Sequence, residues 1–398
     1  MLMLGECIML NNVTVNGNVN GDLKSKPLAS KTKPIIVLAT FTLQGGGAER
    51  FVLTLAKAFF KLGFDVHVIG FKAQVDYELT NDVTVHFLNY QQYRWLPKSL
   101  RYPLFAKIFD GFVKKHIGTP TLILSNLYQV DCVLHHSKLD NIVYVIHNTL
   151  SMEYKLMTSH FDGNQKKIND LKQLYANHPV VCVSHGVKDD FVQYLGQHPK
   201  MTAIHNPIAQ DDIKRQANAF DAHAKLPKSC EQGYLIHVGK FKPQKDHKSL
   251  IQAYAQSTQA LPLVLLGMGG EMSACEQLAD ELGVLDRVIF MGFQSNPYPF
   301  IKSATAMILA SQFEGFGIVI AESLSLGVPV ISTDCPHGPA ELLPDNCLVE
   351  LNNLSALTDK INQVMNKPQD FITPFATHLL PECVAQAYLD FMRVSRVD

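Results

Sequence analysis

The feature of this sequence that most constrains its fold is a regular alternation between short apolar runs and stretches with helical periodicity, which begins at Pro34. Short apolar runs predict buried strands, and the stretches between them predict helices that connect parallel strands. In the first half a helix is predicted at 49–62, and the predicted strands are 35–40, 66–71, 83–88, 122–125, 142–146 and 180–184. This alternation predicts a mostly parallel sheet with helices on both faces.

The alternation restarts after a polar stretch at 210–232. The predicted strands are then 234–238, 263–266, 288–291, 306–309 and 328–332. The predicted helices are 248–255, 271–282, 298–302, 318–326 and a final helix at 381–393. The fold class is therefore α/β, with two doubly wound, Rossmann-like domains that face a cleft. In such sheets ligands bind beyond the carboxyl ends of the strands, so functional residues are expected in the loops after the strands.

The domain organisation follows from this pattern and from the chain length of 398 residues with 47% hydrophobic content, which is enough for two cores. Residues 1–33 lack a sustained period and are expected to be a loose extension or the product of an upstream start codon. The two domains are predicted at 34–208 and 209–380. The last segment, 381–398, is predicted to be a helix, which is long enough to cross back to the first domain.

Composition indicates a cytoplasmic protein. The eight cysteines are scattered without a Cys-x-x-Cys pair, which favours a reduced compartment. No apolar run approaches the roughly 18 residues of a membrane-spanning helix, and residues 1–10 lack the basic start of a signal peptide. The formal net charge of −1 argues against nucleic acid as a partner, although residues 31–210 carry 19 basic against 13 acidic side chains.

Two glutamates, Glu314 and Glu322, bracket a glycine-rich segment that leads from a predicted strand into a predicted helix. Phe316 and Gly317 would lie at the helix N-terminus, where unpaired backbone N–H groups can bind phosphate. A carboxylate accepts two hydrogen bonds from neighbouring hydroxyls, as on a ribose or a sugar ring. Alternatively, Glu314 is an exposed loop residue and Glu322 a surface residue of the helix.

The first predicted strand of each half is followed by a loop with candidate phosphate-binding residues. In the first half this loop is rich in glycine, and in the second half it carries two lysines. Lys240 and Lys245 could clamp a diphosphate, or they are solvated loop lysines. The glycines at 45–47 open the first helix and would let the backbone approach a bulky anion, or they only form a tight turn.

The ordered set of motifs resembles family 4 of the glycosyltransferases, retaining nucleotide-sugar enzymes with a GT-B fold. The similarity covers residues 34–352. It rests on residues 45–50, on 239–245 followed by 250–253, on 314–322 with its two glutamates separated by seven residues, and on 334–341. The last segment looks like the corresponding segment of members that build bacterial surface glycans such as lipopolysaccharide and capsule.

The resemblance implies a role for individual residues. Lys245 matches the family's diphosphate lysine, Glu322 its ribose carboxylate, and Glu314 the carboxylate that touches the donor sugar near the reacting carbon. Lys240 departs from the family, which usually has an arginine there, so the charge is kept and the bidentate fork is lost. The turn whose amides hold phosphate matches Phe316, Gly317 and Ile318, and the loop that meets it from the other domain matches Gly46 and Gly47.

Two further features of the family bear on the donor. His147 ends a strand and matches a histidine near the donor sugar, although a lone histidine at a strand end is often structural. His185 and His205 are expected to belong to turns and to the interdomain connection. Backbone groups near Gly292 and Phe293 are expected to contact the base.

The resemblance also implies a reaction. It is the transfer of a hexosyl or N-acetylhexosaminyl residue from a nucleotide-sugar, UDP-linked on family frequency, to a glycan or glycolipid acceptor in surface polysaccharide or lipopolysaccharide synthesis. No Asp-x-Asp motif or clustered His and Cys spacing occurs, so neither a divalent metal nor another cofactor is expected. Retention without an evident nucleophile suggests front-face attack, in which the leaving phosphate takes the acceptor proton.

A basic and aromatic segment at 94–115 offers a candidate surface for an acceptor or for anionic lipid headgroups. Its cations are Arg94, Lys98, Arg101, Lys114 and Lys115. Alternatively, a helix packs its aromatic side chains into the first domain and leaves the cations solvated. The protein would then be cytoplasmic with or without a peripheral contact to the membrane, and its oligomeric state is not indicated.

Three other functions compete with this one. A nucleotide-sugar epimerase shares the two-domain fold but needs acid and base residues on both faces of the sugar. A nicotinamide dehydrogenase would use the glycines at 267–270, which lack the third spaced glycine of that motif. A non-catalytic nucleotide-sugar-binding partner would bind the donor and release no diphosphate.

Overall fold

The structure of this protein is a computed structural model that describes residues 33–76, 82–154 and 161–395, with only the backbone of 161–164. The predicted N-terminal extension, apart from its last residue, lies outside this part of the chain. Two compact units divide the described residues. The first contains the residues up to Val145, Gln173–Val180 and the residues from Leu389 on, and the second contains Ile146–Lys172 and Val181–Tyr388. The domain boundaries inferred from sequence, at 208 and 380, stay predictions.

The first sheet has seven strands. They are β1 (Ile35–Thr40), β2 (Asp65–Gly70), β3 (Thr84–Phe87), β4 (Leu122–Asn126), β5 (Ile142–Ile146), β6 (Val180–Cys182) and β7 (Met201–Ala203). Their order is β3-β2-β1-β4-β5-β6-β7, and the pairings from β3 through β5 are parallel. The order reverses direction between β1 and β4, which makes their carboxyl ends the switch point where ligands bind in this topology.

The helices of this part of the chain alternate with the strands. They are α1 (Gly47–Lys61), α2 (Lys98–His116), α3 (Tyr128–Leu134), α4 (Leu150–Glu153), α5 (Phe161–Tyr175), α6 (His185–Leu195) and α7 (Gln210–Ala217). In α1 the buried residues include Phe51, Val52, Leu55, Ala56 and Phe59, which share one face because a helix repeats every 3.6 residues. That apolar face explains why this stretch forms a helix against the sheet.

The second sheet has six strands, all within the second unit. They are β8 (Leu235–Val238), β9 (Leu263–Leu266), β10 (Val288–Phe290), β11 (Ala306–Leu309), β12 (Val330–Asp334) and β13 (Leu348–Glu350). The order is β10-β9-β8-β11-β12-β13 with parallel pairing throughout. The switch point therefore lies between β8 and β11, whose residues Ala306 and Leu235 are paired.

The helices that follow β8 belong to the second unit, except that the residues of α14 from Leu389 on belong to the first. They are α8 (His247–Gln256), α9 (Met272–Glu281), α10 (Tyr298–Ser303), α11 (Ile318–Ser325), α12 (Pro339–Leu342), α13 (Leu354–Asn366) and α14 (Pro381–Ser395). The core strands of this unit are apolar on both faces, as expected for a parallel sheet: Leu263, Val264, Leu265 and Leu266 are all buried. Two parallel sheets with interleaved helices confirm the predicted fold class.

The differences from the predicted elements are local. The strand expected at 328–332 is displaced to Val330–Asp334, and the stretch described as polar contains α7. The short strands β7 and β13 were not predicted, because three-residue strands carry too few positions to establish a period. The helix α13 was not predicted either.

Candidate active site

The loops after β8 and β11 form the candidate site, because these two strands are neighbours at the switch point of the second sheet. The loop after β8 carries Lys240 and Lys245, and the loop after β11 carries Glu314. The parallel pairing of the strands is thus what brings two segments about seventy residues apart in sequence to the same edge of the sheet.

Lys245 and Glu314 form a close ion pair. The Lys245 Nζ donates to Glu314 Oε1 at 2.5 Å, and Ser311 Oγ donates to the same oxygen at 2.6 Å. Glu314 is buried, with 6% of its surface exposed, so it is not the exposed loop residue of the alternative interpretation. A buried carboxylate requires such partners, and their presence shows that the site is arranged around this charge.

Two glutamines brace the loops that hold this pair. Gln244 Nε2 donates to the carbonyl oxygen of Phe313 at 2.8 Å, and the Gln312 amide donates back to the carbonyl oxygen of Gln244 at 2.8 Å. The Gln312 side chain also donates to Asp246, which caps the N-terminus of α8. Neither glutamine stood out in the sequence, because a bracing role depends on contacts between distant loops.

The glycines at 267–270 pack against the lysine loop. Gly267 has a φ of +146°, and a Cβ placed on it would lie 1.9 Å from the carbonyl oxygen of Gly239. A Cβ on Gly269 would lie 2.2 Å from the carbonyl oxygen of Phe241. Close backbone approach therefore accounts for these glycines, and the nicotinamide interpretation loses the motif on which it rested.

The turn at 315–317 is held by three neighbouring segments. Ser184 Oγ donates to the carbonyl oxygen of Gly315 at 2.6 Å, and a Cβ on Gly315 would lie 2.1 Å from the carbonyl oxygen of His147. The segment 334–341 also packs here, since a Cβ on Gly338 would lie 2.7 Å from the carbonyl carbon of Phe316. Each contact requires a glycine or a short side chain, which explains the glycine-rich composition of both segments.

The N-terminus of α11 follows this turn. Gly317 is its N-cap with a φ of +81°, a conformation that favours glycine, and Ile318 is the first residue of the helix. The first amides of a helix have no partner within it, so α11 offers N–H groups to an anion. Phe316 is buried and Ile318 half-buried.

Glu322 lies one turn into α11 and is buried, with 3% of its surface exposed. The hydroxyl of Tyr298 donates to its Oε1 at 2.9 Å. Glu322 is therefore not the surface residue of the alternative interpretation. Tyr298 was not recognised as a partner from sequence, because it begins a different helix.

His147 follows β5 and is half-buried within the second unit. Burial lowers the pKa of its imidazole to about 3, so the ring is neutral at physiological pH. The loop that follows is anchored where the Ser151 amide donates to Asp190 on α6 at 3.1 Å. A histidine held neutral in this way can hydrogen-bond a substrate and is a weak proton acceptor.

Two more imidazoles lie beneath the lysine loop. His237 and His247 are fully buried with ring centroids 4.5 Å apart, and His247 stacks on Phe241 at 3.9 Å. His237 Nδ1 donates to the carbonyl oxygen of Ile308 at 2.8 Å. Burial lowers the pKa of His237 to about 4 and that of His247 to about 2, so both are neutral and add no charge below the lysines.

Of the remaining predicted donor contacts of this unit, Lys240 and Phe293 are exposed and Gly292 is half-buried. Gly292 has a φ of +65° and its carbonyl oxygen accepts from the Gly267 amide at 2.8 Å, while the Phe293 ring is 60% exposed. The Gly292 contact joins the predicted base-binding turn to the loop that supports Gly239.

In the first unit, Gly46 is the N-cap of α1 and Gly47 its first residue. The φ of Gly46 is −166°, an extended conformation open to any residue, so the turn itself does not demand glycine there. A Cβ on Gly46 would meet the Oε2 atom of Glu49 at 2.3 Å, which is the end of a flexible side chain. Backbone strain therefore does not explain this glycine.

The basic and aromatic segment forms α2 and the turn before it. Phe105 and Phe109 are fully buried, as the packing interpretation requires, and Arg101 lies over the ring of Tyr90 at 5.2 Å. Arg94, Lys98, Lys114 and Lys115 are exposed. Trp95, Leu100 and Leu104 are exposed as well, by 79%, 61% and 39%. Within the described residues no helix is both long and apolar enough to span a bilayer.

His185 and His205, which were predicted to belong to turns and to the interdomain connection, lie beside the Glu341 carboxylate. The amides of His185 and Gly186 each donate to the Glu341 carboxylate at 2.9 Å, and His205 Nε2 donates to its Oε2 at 2.8 Å. Burial alone would raise the pKa of Glu341, but these hydrogen bonds lower it to about 2. The His205 ring also lies 5.1 Å from that of Phe316.

Two family models match the sequence. The model described as glycosyl transferases group 1 matches residues 218–373, and the model described as glycosyltransferase family 4 matches residues 45–212. The first match contains Lys240, Lys245, Glu314 and Glu322, and the second contains Gly46, Gly47 and His147. The two matches follow one another along the chain and include all of the second sheet and the first sheet except β1.

Curated relatives are similar over different shares of the chain. The N-acetylgalactosamine-N,N'-diacetylbacillosaminyl-diphospho-undecaprenol 4-alpha-N-acetylgalactosaminyltransferase of Campylobacter jejuni is 28% identical over 325 residues, covering 80% of this chain and 86% of the relative. The lipopolysaccharide 1,6-galactosyltransferase of Salmonella typhimurium is 28% identical over 211 residues, covering 52% of this chain and 56% of that enzyme.

Solved structures share the fold. Anabaena HepE in complex with UDP-glucose superposes with a TM-score of 0.65 at 20% identity, covering 91% of this chain and 98% of HepE. The apo lipopolysaccharide outer core galactosyltransferase WaaB superposes with a TM-score of 0.63 at 18% identity, covering 91% of this chain and 99% of WaaB.

Proposed function

Because this chain belongs to family 4 of the glycosyltransferases and has the GT-B fold, we propose that it is a retaining, metal-independent enzyme that uses a UDP-sugar. Its transferase activity follows from membership of the family. The proposal adds that a hexosyl or N-acetylhexosaminyl residue passes to a glycan or glycolipid acceptor in the synthesis of bacterial surface polysaccharide or lipopolysaccharide.

The observation that carries the proposal is the buried Lys245–Glu314 pair at the switch point of the second sheet. A cation and a carboxylate at this edge, beside the N-terminus of α11, supply the charges that a diphosphate and a sugar need. Glu322, one helical turn away from that N-terminus, supplies a second buried carboxylate for ribose hydroxyls. We assign Lys245 to the diphosphate, Glu314 to the donor sugar and Glu322 to the ribose.

The choice of UDP and of the acceptor class is supported by similar proteins. HepE has been crystallised with UDP-glucose, and the Campylobacter relative is named for transfer of N-acetylgalactosamine to a diphospho-undecaprenol-linked sugar. The Salmonella relative is named for transfer of galactose in lipopolysaccharide. We therefore propose a lipid-linked or lipopolysaccharide acceptor for this chain.

The proposed mechanism depends on stabilising the leaving group. Departure of UDP places growing negative charge on the β-phosphate, where Lys245, Lys240 and the α11 amides would stabilise it. His147 is neutral and weakly basic, so in this mechanism it hydrogen-bonds the donor sugar and does not take the acceptor proton. That proton passes to the leaving phosphate during front-face attack, without a metal ion. The anomeric configuration of the product, read by NMR against that of the donor, tests retention.

We further propose that the enzyme works at the cytoplasmic face of a membrane through α2 and the preceding turn. The exposed side chains there combine Trp95, Leu100 and Leu104 with Arg94 and Lys98. Apolar side chains insert between headgroups while cations attract anionic lipid, each contributing about 1 kcal/mol. Arg101 has a smaller part in this surface, because it packs on Tyr90.

Binding of UDP to a Lys245→Ala variant tests the proposal. Loss of the lysine should weaken UDP binding at least tenfold by isothermal titration calorimetry, because a buried charged contact to phosphate is lost. Lys248→Ala is a matched control, since Lys248 is an exposed lysine on the adjacent helix α8, and should bind UDP within about twofold of the unmodified protein. Unchanged UDP binding by folded Lys245→Ala protein would contradict the assignment. GDP in the same assay tests the choice of base.

A further inference from the structure

Three residues from distant parts of the second unit bring metal-ligating atoms together. His185, His205 and Glu341 each offer one such atom, and these atoms all lie within 4.8 Å of one another. No local spacing predicts the cluster, because 156 residues separate His185 from Glu341. None of the three has a part in the transfer reaction proposed above.

We propose that His185, His205 and Glu341 form a binding site for one divalent transition-metal ion of the zinc class. Two imidazoles and a carboxylate are the ligand types that zinc and neighbouring transition metals prefer, whereas magnesium and calcium favour oxygen ligands alone. Three protein ligands leave a fourth tetrahedral position to water.

The ligand atoms need only a small rearrangement. Ligands about 2.1 Å from a tetrahedral ion lie roughly 3.4 Å from each other, whereas His205 Nε2 and Glu341 Oε2 are 2.8 Å apart because a proton joins them. Binding of the ion replaces that proton. The His205–Glu341 hydrogen bond is exchanged for two metal bonds, and the exposed ring of His185 turns inward to supply the third.

The surroundings already orient these ligands. His205 Nδ1 lies 3.1 Å from His378 Nε2. When His205 Nε2 binds the ion, its proton moves to Nδ1, the proton of His378 moves from Nε2 to Nδ1, and His205 Nδ1–H donates to His378 Nε2. The amides of His185 and Gly186 fix the Glu341 carboxylate at 2.9 Å. Both arrangements correspond to the outer hydrogen bonds that hold metal ligands in place.

Access and electrostatics permit an ion to enter. His185 and His378 are exposed, and the side chains of His205 and Glu341 keep 15% and 18% of their surface accessible. The partial positive charge at the N-terminus of α6 opposes a cation there, but the ionised Glu341 carboxylate offsets it. The His205 ring lies 5.1 Å from that of Phe316. An ion at this site would therefore fix a ring that packs against the turn at 315–317.

Zinc titration of the full-length protein tests the site. Chelator-treated protein carrying Cys7→Ser and Cys383→Ser, which removes the exposed thiol and the cysteine outside the described residues, is titrated with Zn²⁺ by calorimetry. We expect saturable binding of one ion per chain and a rise in melting temperature with Zn²⁺. His185→Ala should weaken binding at least tenfold, and His378→Ala by about tenfold.

His116→Ala is the matched control, because His116 is an exposed histidine of the first unit, and its affinity should be unchanged. Absence of one-to-one binding, or equal affinity in His185→Ala, would overturn the proposal. Since His185 is exposed, that variant is expected to fold even if His205→Ala, which removes a packed ring, does not.

Discussion

The two switch points of this molecule have the same local strand order, but the loops that surround them carry very different residues. In the second sheet, the loops after β8 and β11 carry a buried ion pair, two bracing glutamines and glycines in close backbone contact. In the first sheet, the loop after β1 carries Gly46 in an extended conformation just before α1. The comparison teaches that the topology fixes where a ligand site is expected, while side chains decide which chemistry each site can perform.

The comparison also separates two uses of glycine. Gly267 lies at a positive φ against a neighbouring carbonyl, so the fold itself requires it. Gly46 has an extended φ and meets only the end of a flexible side chain, so the fold does not require it. A glycine that the fold does not require is a candidate for contact with a ligand.

The largest predicted effect is the difference in the free energy of unfolding between Gly267→Ala and Gly46→Ala. Gly267→Ala should lower the free energy of unfolding by about 3 kcal/mol or more, because positive φ and overpacking both oppose the new Cβ. Gly46→Ala should change it by about 0.5 kcal/mol or less and still reduce turnover of the UDP-sugar. Urea denaturation measures the first quantity. Equal stability losses in the two variants would erase the distinction.

Removal of the Glu314 carboxylate tests the chemistry of the second site. Glu314→Ala should reduce turnover of the UDP-sugar at least tenfold, because the carboxylate proposed to hold the donor sugar near the reacting carbon is lost. Release of UDP from the donor measures this rate. Glu281→Ala, at an exposed position of α9, should leave the rate unchanged. A near-normal rate in folded Glu314→Ala protein would show that the carboxylate is not catalytic.

Acid should weaken the second unit through its buried histidines. The pKa of His247 is about 2 in the folded protein against 6.5 for a free histidine, so the unfolded chain takes up a proton in between. Stability is therefore highest above pH 6.5 and falls as the pH drops, by about 1.4 kcal/mol for this residue between pH 7.5 and 5.5.

His247→Phe should remove that part of the pH dependence. Urea denaturation at pH 7.5 and pH 5.5, compared with the unmodified protein, measures the difference. The same pH dependence in both proteins would mean that His247 is not kept neutral by burial.

Charge reversal on α2 tests the membrane contact proposed for the first unit. For each residue changed, its effect on the free energy of vesicle binding should be the smallest of the effects predicted here. Lys98→Glu and Lys114→Glu should each weaken co-sedimentation with vesicles of phosphatidylserine and phosphatidylcholine by about 1 kcal/mol or somewhat more. Lys248→Glu, on α8 of the second unit, is the control. Binding to vesicles that does not respond to any of the α2 changes would remove the membrane proposal.

Sequence reasoning predicted the α/β class and the position of most strands, because apolar runs and helical periodicity are local properties. It also singled out Lys245, Glu314 and Glu322 through their motif, and the structure pairs Lys245 with Glu314 and buries both glutamates, while their roles stay predictions. It missed the Gln244 and Gln312 braces and the hydroxyl of Tyr298, because these contacts join segments far apart in sequence. The cluster of His185, His205 and Glu341 was not predicted for the same reason, since no local spacing relates its members.

The Lys245–Glu314 pair has a consequence for how the enzyme treats its own product. If a bare diphosphate at the proposed site draws Lys245 away from Glu314, the carboxylate loses that contact and keeps the one from Ser311. In the proposed complex an intact donor would avoid this loss, because its sugar hydroxyls would donate to the carboxylate while its phosphate accepts from the lysine. Product inhibition by UDP should accordingly be weak relative to the affinity for the complete nucleotide-sugar, and turnover can continue as UDP accumulates.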